Sequence, residues 1–215
     1  MYQLFYSPGS AAMTPHVVLE EIGAPYKLIK LDTAARDHDK PEYRRLNPNG
    51  RIPTLVDGDF IIYETAAICL YLADKHPEAK LQPLGAGPER GRFLQWLIYL
   101  TNTVQVTYMD YFHPEWSLAD HAMHPALKAF AVEKLYQQFQ IINDGIGQAP
   151  FMAGAQFSIC DIYLAMLARW SRGLPKPAWS WSNIHRVVDA ARIRPAFQRV
   201  LHQQGIGWPD NWPKG

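Results

Sequence analysis

Residues 49–65 constrain the fold of this 215-residue chain more than any other segment. Two apolar runs, residues 54–56 and 60–63, lie on either side of Asp57-Gly58-Asp59, and this pattern is typical of a β-hairpin. Residues 65–75 then carry apolar side chains at helical spacing. The segment therefore predicts two strands joined by a tight turn, with a helix directly after the second strand.

Ile52-Pro53 lies immediately before the first strand of this hairpin. Proline has no N–H for the sheet ladder, so it is confined to edges and special positions. A cis bond here would turn the N–H and C=O of Ile52 outward, where they could pair with the backbone of a bound peptide. The alternative is an ordinary trans proline at a sheet edge with no binding role.

Glu64 and Thr65 open the helix that follows the hairpin. A helix N-terminus has N–H groups without intrahelical partners and a partial positive charge, and both favour a carboxylate. The Thr65 hydroxyl adds a donor, and Glu64 can accept from an ammonium group. Together they suit an amino-acid head group, although threonine and glutamate are also common at helix starts for structural reasons alone.

The first third of the chain alternates strand and helix signals. A short apolar strand at residues 3–6 leads into Ser7-Pro8-Gly9-Ser10, a turn sequence. Thr14 is predicted as the N-cap of a helix that has Pro15 at its first position and ends before Gly23. A second strand over residues 26–31 and a helix near residues 41–46 complete a β-α-β-α-β-β-α order, which predicts a thioredoxin-like layer.

The remainder of the chain carries helical periodicity only. Residues 77–88 are rich in proline and glycine and predict a linker. Helical segments follow at residues 90–108, 125–142, 160–172 and 183–204. Ser158 and Asp161 form a variant capping box before the third of these helices, with a structural role. The fold class is α/β plus all-α: residues 1–77 thioredoxin-like, 78–87 the linker, and 88–215 an all-helical domain.

Composition excludes several classes of function. The formal net charge is +1, which gives no support for nucleic-acid or membrane-surface binding, and 48% of the residues are apolar, enough for a substantial core. No apolar run is long enough for a spanning helix. The opening residues read as a first strand and not as a targeting signal. The two cysteines lie far apart without a CxxC, so neither a dithiol nor a metal site is predicted, and a cytoplasmic location is expected.

Taken together, these motifs resemble those of the cytosolic glutathione transferases over the whole chain. The matching segments are Ser7-Pro8-Gly9-Ser10, Pro15-His16, residues 19–26, residues 47–55, Glu64-Thr65 with residues 66–68, residues 157–161 and residues 194–197. The resemblance implies an enzyme that stabilises the thiolate of glutathione and conjugates it to an apolar electrophile in detoxification. It also implies a cis Ile52-Pro53 bond and a homodimer.

The resemblance assigns roles to individual residues near the hairpin. Ile52, beside Pro53, would pair with the cysteinyl backbone of glutathione, and Glu64 and Thr65 would hold its γ-glutamyl end. Arg51 or His38 would reach the glycyl carboxylate. No metal is implied.

Three groups compete for the role of thiol activator. Ser10 comes first, because it follows Pro-Gly as the activating serine does in insect delta-class members. Tyr6 at the end of the first strand comes second. Backbone N–H groups at Ala11 and Ala12 come third, and alanine at both positions leaves no cysteine for mixed-disulfide chemistry.

The electrophile pocket is expected to include Ala11, Gln105, Tyr108 and Met109. The last three lie on one helix of the second domain, where an apolar co-substrate would contact them. Peroxide reduction or isomerisation by the same thiolate is an alternative activity. A non-catalytic protein of the same fold that binds glutathione or another ligand is a further alternative.

Overall fold

The computed structural model of the protein describes residues 1–213. The strands are β1 (Tyr2–Tyr6), β2 (Tyr26–Lys30), β3 (Thr54–Asp57) and β4 (Phe60–Tyr63). The helices are α1 (Met13–Ile22), α2 (Pro41–Arg44), α3 (Thr65–Lys75), α4 (Pro88–Tyr99), α5 (Val106–Phe112), α6 (His124–Ile146), α7 (Ile159–Trp170), α8 (Ser182–Arg192) and α9 (Pro195–Gln204). A π-helical segment, Leu100–Gln105, joins α4 to α5.

Contacts divide the described chain into two compact units. The first comprises residues 1–82 together with 192–208, and the second comprises residues 83–191 together with 209–213. The division after residue 82 falls inside the predicted linker, and α9, which was predicted within the helical domain, groups with the first unit. The predicted domain boundaries stay a prediction, and the last two residues of the predicted 88–215 domain lie outside the described residues.

The first unit contains a four-stranded sheet in the order β2-β1-β3-β4. β1 and β2 are parallel, whereas β3 pairs antiparallel with both β1 and β4. Successive side chains of a strand point to opposite faces. Accordingly, the Tyr6 ring lies 6.3 Å from His16 of α1, and the Phe5 ring lies 5.6 Å from Tyr43 of α2. The predicted thioredoxin-like β-α-β-α-β-β-α order is confirmed.

Glycine fixes two of the connections that shape this unit. Gly23 ends α1 with φ 66, the left-handed conformation that is common after a helix. Gly58 has φ 61 in the two-residue turn of the β3–β4 hairpin, where Asp57 pairs with Phe60. Both positions agree with the sequence predictions.

The start of α1 differs from the prediction. Helix α1 begins at Met13, so Thr14 lies inside it and is not the N-cap. The N-cap is Ala12, which makes no side-chain hydrogen bond to the helix. The Ser10 hydroxyl accepts a hydrogen bond from the N–H of Ala12 (3.3 Å) within the turn that precedes the helix.

The second unit is helical, as predicted. All residues of α7 are buried, and Ser158 and Asp161 form the predicted capping box at its start. Asp161 accepts hydrogen bonds from the N–H groups of Ser158 (2.8 Å) and Met152 (2.7 Å), while burial raises its pKa to about 6. Within residues 1–213, no helix is both long and apolar enough to cross a membrane.

The helix predicted over residues 183–204 is two helices. The break lies at Ile193 and Arg194, directly before Pro195. A residue that precedes proline is driven out of the helical region, and Arg194 has an extended ψ of 140. Pro195 then becomes the first residue of α9, so the same proline ends one helix and starts the next.

Candidate glutathione site at the strand ends

Strand register brings the predicted binding motifs to one edge of the sheet. Phe5 of β1 lies opposite Thr54 of β3, and Thr54 lies opposite Tyr63 of β4. The end of β1, the start of β3 and the end of β4 are therefore neighbours. The segments beyond these three strand ends are residues 7–12, Ile52-Pro53 and Glu64-Thr65, so residues that are far apart in sequence meet at a single site.

The Ile52–Pro53 peptide bond is cis, as the resemblance implied. Neither the N–H nor the C=O of Ile52 has a hydrogen-bond partner within residues 1–213. Buried backbone groups are nearly always paired, so the half-buried Ile52, with both its N–H and its C=O unpaired in the described chain, is a candidate for pairing with a ligand. These two groups could pair with the main chain of an extended peptide.

Two side chains hold the chain immediately before Ile52. The Tyr43 hydroxyl (2.5 Å) and the Asn47 amide (2.9 Å) both donate to the carbonyl of Arg51. Tyr43 also hydrogen-bonds the Thr54 hydroxyl at 2.8 Å, and burial raises the pKa of this phenol. Sequence reasoning missed Tyr43 and Asn47, because nothing in a local pattern indicates that they converge on one carbonyl.

The start of α3 is open to a ligand. Glu64 is exposed and has φ 73 and ψ 117, a backbone conformation that costs a residue with a side chain about 1–3 kcal/mol. No side chain caps the helix, and its first intrahelical bond runs from Ile68 N–H to the Glu64 carbonyl. In the part of the chain that the structure describes, the N–H groups of Thr65, Ala66 and Ala67 therefore have no acceptor.

The turn after β1 carries the predicted thiol activators. The Ser10 hydroxyl donates to the Ser7 carbonyl at 2.7 Å and accepts from Ala12 N–H, so its proton must rotate away from that carbonyl to reach a thiolate. The N–H of Ala11 has no acceptor among the described residues and points to no internal partner. Tyr6 is buried on the strand, beside His16.

His38 and Arg51 belong to segments that touch each other. A Cβ at Gly50, where φ is 60, would lie 3.0 Å from the His38 carbonyl and 3.0 Å from the Arg44 guanidinium. His38 Nδ1 is buried without a hydrogen-bond partner among the described residues, while its Nε2 lies 3.7 Å from Asp39. Arg51 is exposed, and partial desolvation lowers its pKa. Arg51 directly precedes Ile52, and His38 belongs to a segment that packs against Gly50. A cationic side chain and an imidazole therefore lie on segments next to Ile52.

The residues predicted for the electrophile pocket differ in their surroundings. Tyr108 is fully buried in the helical unit and donates to the Leu167 carbonyl at 2.8 Å, so it serves the core of that unit and offers no surface to a substrate. Gln105 ends the π-helical segment and accepts a hydrogen bond from the Tyr163 hydroxyl. Met109 is half-buried, and Ala11 is buried in the first unit.

No three metal-binding side chains of the histidine, cysteine, aspartate or glutamate type come together in the described part of the chain. Burial also raises the pKa of both cysteine thiols well above the ordinary value. The site therefore consists of backbone groups, hydroxyls and a few charged side chains.

The chain is similar to glutathione S-transferases over nearly all of its length. Residues 1–74 match the family model described as the glutathione S-transferase N-terminal domain. Glutathione S-transferase GstA of Escherichia coli O157:H7 is 26% identical over 206 residues, which cover 95% of this chain and 99% of that protein.

Solved structures agree with these matches. A glutathione S-transferase from Xylella fastidiosa superposes with a TM-score of 0.88 at 25% identity, covering 96% of this chain and 100% of the other. A sphingomonad glutathione S-transferase complexed with glutathione gives a TM-score of 0.83 at 27% identity, covering 95% and 100%.

His16, behind the turn that carries Ser10, predicts a pH dependence of stability. This side chain is fully buried, and desolvation lowers its pKa from 6.5 to about 4. The folded state therefore keeps it neutral, while the unfolded chain takes up a proton below pH 6.5. As pH falls from 6.5 to about 4 the free energy of unfolding should decrease by up to about 3 kcal/mol through this residue.

Urea titrations between pH 4 and 7.5 measure this decrease. A His16→Gln variant should lose most of it, whereas His202→Gln, on the exposed side of α9, should keep the wild-type dependence. Equal pH dependence in wild type and His16→Gln would contradict the assignment.

Proposed function

We propose that this chain, a member of the glutathione transferase family, binds glutathione at the strand-end site and transfers its sulfur to an apolar electrophile. One observation carries the location of the site. Among the described residues, the N–H and C=O of Ile52 have no partner and the start of α3 has no cap. The Arg51 carbonyl directly before Ile52 is held by Tyr43 and Asn47. The glutathione-complexed relative supports the identity of the ligand.

The tripeptide has a group to match each open group of the site. Ile52 pairs with the cysteinyl backbone as one rung of a β-ladder. The free N–H groups of α3 and the Thr65 hydroxyl receive the γ-glutamyl carboxylate, and Glu64 accepts from the ammonium. Arg51 and His38 are the candidates for the glycyl carboxylate. We expect the cysteinyl sulfur to face the turn at residues 7–12.

Glu64 provides a test that separates binding from folding. Glycine adopts a φ of 73 without strain, so Glu64→Gly should raise the free energy of unfolding by about 1 kcal/mol. The same variant should bind glutathione about tenfold more weakly, because the ammonium loses its charged acceptor. Titration calorimetry and urea unfolding measure the two effects.

Lys80→Gly is the matched control, since Lys80 also has a positive φ, of 52, but lies outside the site. Its affinity for glutathione should equal that of wild type. No binding heat from the wild-type chain at millimolar glutathione would overturn the proposed function itself.

The reaction needs the thiol to lose its proton before the sulfur attacks. The proton leaves to solvent, the thiolate forms a carbon–sulfur bond with the electrophile, and the leaving group departs with the bonding electrons. Ser10 is our first candidate for the donor that stabilises the thiolate, Tyr6 is the second, and the N–H groups of Ala11 and Ala12 are the third. The open N–H of Ala11 supports a contribution from the backbone beside Ser10.

Ser10→Ala tests the ranking of these donors. A hydrogen bond to a charged group contributes about 1.5–3 kcal/mol, so kcat/KM with an aryl halide should fall about ten- to a hundredfold. Loss of the hydrogen bond from Ala12 N–H should also lower the free energy of unfolding by about 1 kcal/mol. Ser7→Ala is the control, because only the Ser7 carbonyl takes part in the turn. Unchanged activity in Ser10→Ala would move the role to Tyr6 or to the backbone.

The finer features of this function are also proposals. We place the enzyme in the cytoplasm, in a detoxifying role, with an apolar co-substrate. Gln105 and Met109 of the second unit remain the predicted contacts for this co-substrate.

We propose a homodimer, supported by exposed apolar side chains on the edge strand β4, Phe60 (48% exposed) and Ile61 (38%). Light scattering should give twice the 24.5 kDa chain mass, and a monomer at micromolar concentration would contradict the dimer.

A further inference from the structure

Ser10 belongs to the turn of residues 7–10. The N–H of Gly9, in the central peptide of this turn, donates a hydrogen bond to a side chain of α9. Ser10 N–H donates to the Ser7 carbonyl at 3.2 Å across Pro8 and Gly9, and Gly9 has φ 72. Proline followed by a residue with positive φ is the type II pattern, in which the central N–H points away from the turn. That N–H donates to Oε1 of Gln204, at 2.9 Å, from the last residue of α9.

The Gln204 amide has its orientation fixed by His16. Gln204 is 5% exposed, and its Nε2 donates to His16 Nδ1 at 3.0 Å. On its other side, His16 Nε2 lies 2.7 Å from Gln203 Oε1, an acceptor, which places the imidazole proton on Nε2 and leaves Nδ1 free to accept. A flipped Gln204 amide would set its NH2 against Gly9 N–H, donor against donor, so the oxygen is held toward the turn.

Ion pairs fix α9 against α1, so Gln204 has a set position. Arg194 donates to both carboxylate oxygens of Glu21 at 2.6 and 2.8 Å, and Arg199 donates to Glu20 at 2.5 Å. Bidentate arginine–carboxylate pairs restrict orientation as well as distance. The Gln204 side chain, which accepts from Gly9 N–H, is thus carried by a helix that is held in a fixed position against α1.

We propose that Gln204 is a positioning residue of the enzyme: by binding Gly9 N–H it holds the turn in the conformation that aims the Ser10 hydroxyl and the Ala11 N–H at the sulfur of bound glutathione. This inference rests on the proposed function. Without the acceptor, the Pro8–Gly9 peptide can rotate, and the two donors that follow it lose their alignment. The backbone of glutathione is bound at Ile52 and at the start of α3. Substitution of Gln204 should therefore change the pKa of the bound thiol and not the affinity for glutathione.

Gln204→Met removes the acceptor while keeping the length of the side chain. We expect kcat to fall about tenfold, the pKa of the bound thiol to rise by about one unit as read from thiolate absorbance, and KM for glutathione to stay within about twofold. His202→Met is the matched control, because His202 belongs to the same helix but is exposed, whereas Gln204 is buried.

Hydrogen exchange at the Gly9 amide gives a readout that does not depend on activity. Gln204→Met should accelerate this exchange, and His202→Met should not. Faster exchange with an unchanged thiol pKa and kcat would overturn the positioning role, and unchanged exchange would overturn the hydrogen bond on which it rests. Failure of wild type to bind glutathione would instead overturn the proposed function, and with it any catalytic consequence of Gln204.

Discussion

The antiparallel pairing of β3 with β1 decides where every candidate ligand-binding group of the first unit lies. Because β3 runs against β1 and β4, its start meets the ends of both neighbours, with Phe5, Thr54 and Tyr63 in one row. A shift of the register by one residue would turn Leu55 out of the core and would move Ile52 away from the start of α3. The fully buried Leu4 and Leu55 therefore position the site through the register that their burial enforces.

The edge built in this way is left with unpaired polar groups. Ile52 has an open N–H and C=O, Ala11 has an open N–H, and the first turn of α3 has no cap among the described residues. Each such group costs free energy when water reaches it poorly. Glu64 adds a backbone conformation that its side chain disfavours. A ligand that forms hydrogen bonds with these groups removes that cost. Part of the binding free energy therefore comes from unpaired groups that the folded protein already holds in position.

The sequence was sufficient wherever the controlling interactions are local. The hairpin at Gly58, the end of α1 at Gly23 and the capping box of Ser158 and Asp161 each depend on residues within a few positions of one another, and each is confirmed. The cis bond at Pro53 came from the resemblance, because a residue-by-residue argument left trans as an alternative.

Long-range contacts explain what the sequence could not provide. The helix predicted from Thr14 begins at Met13, and the turn before it is held by Gln204, which lies 195 positions from Gly9 in the chain. Tyr108 was predicted as a pocket residue because it lies beside the helix face that carries Gln105 and Met109, but its hydroxyl donates to the Leu167 carbonyl of α7 in the core of the second unit. Periodicity tells which side of a helix is apolar, and it does not tell which neighbouring element covers that side.

The grouping of α9 with the first unit follows from the same contacts. The matched family domain ends at residue 74, yet His16 of α1 is completed by Gln203 and Gln204, which lie far beyond it. Without α9, the buried His16 ring would keep only the Tyr26 hydroxyl at Nε2 and would lose its donor at Nδ1, and Gly9 N–H would lose the Gln204 acceptor. The structural unit that carries the candidate site is therefore larger than the matched family domain, because α9 returns to pack behind the turn that carries Ser10.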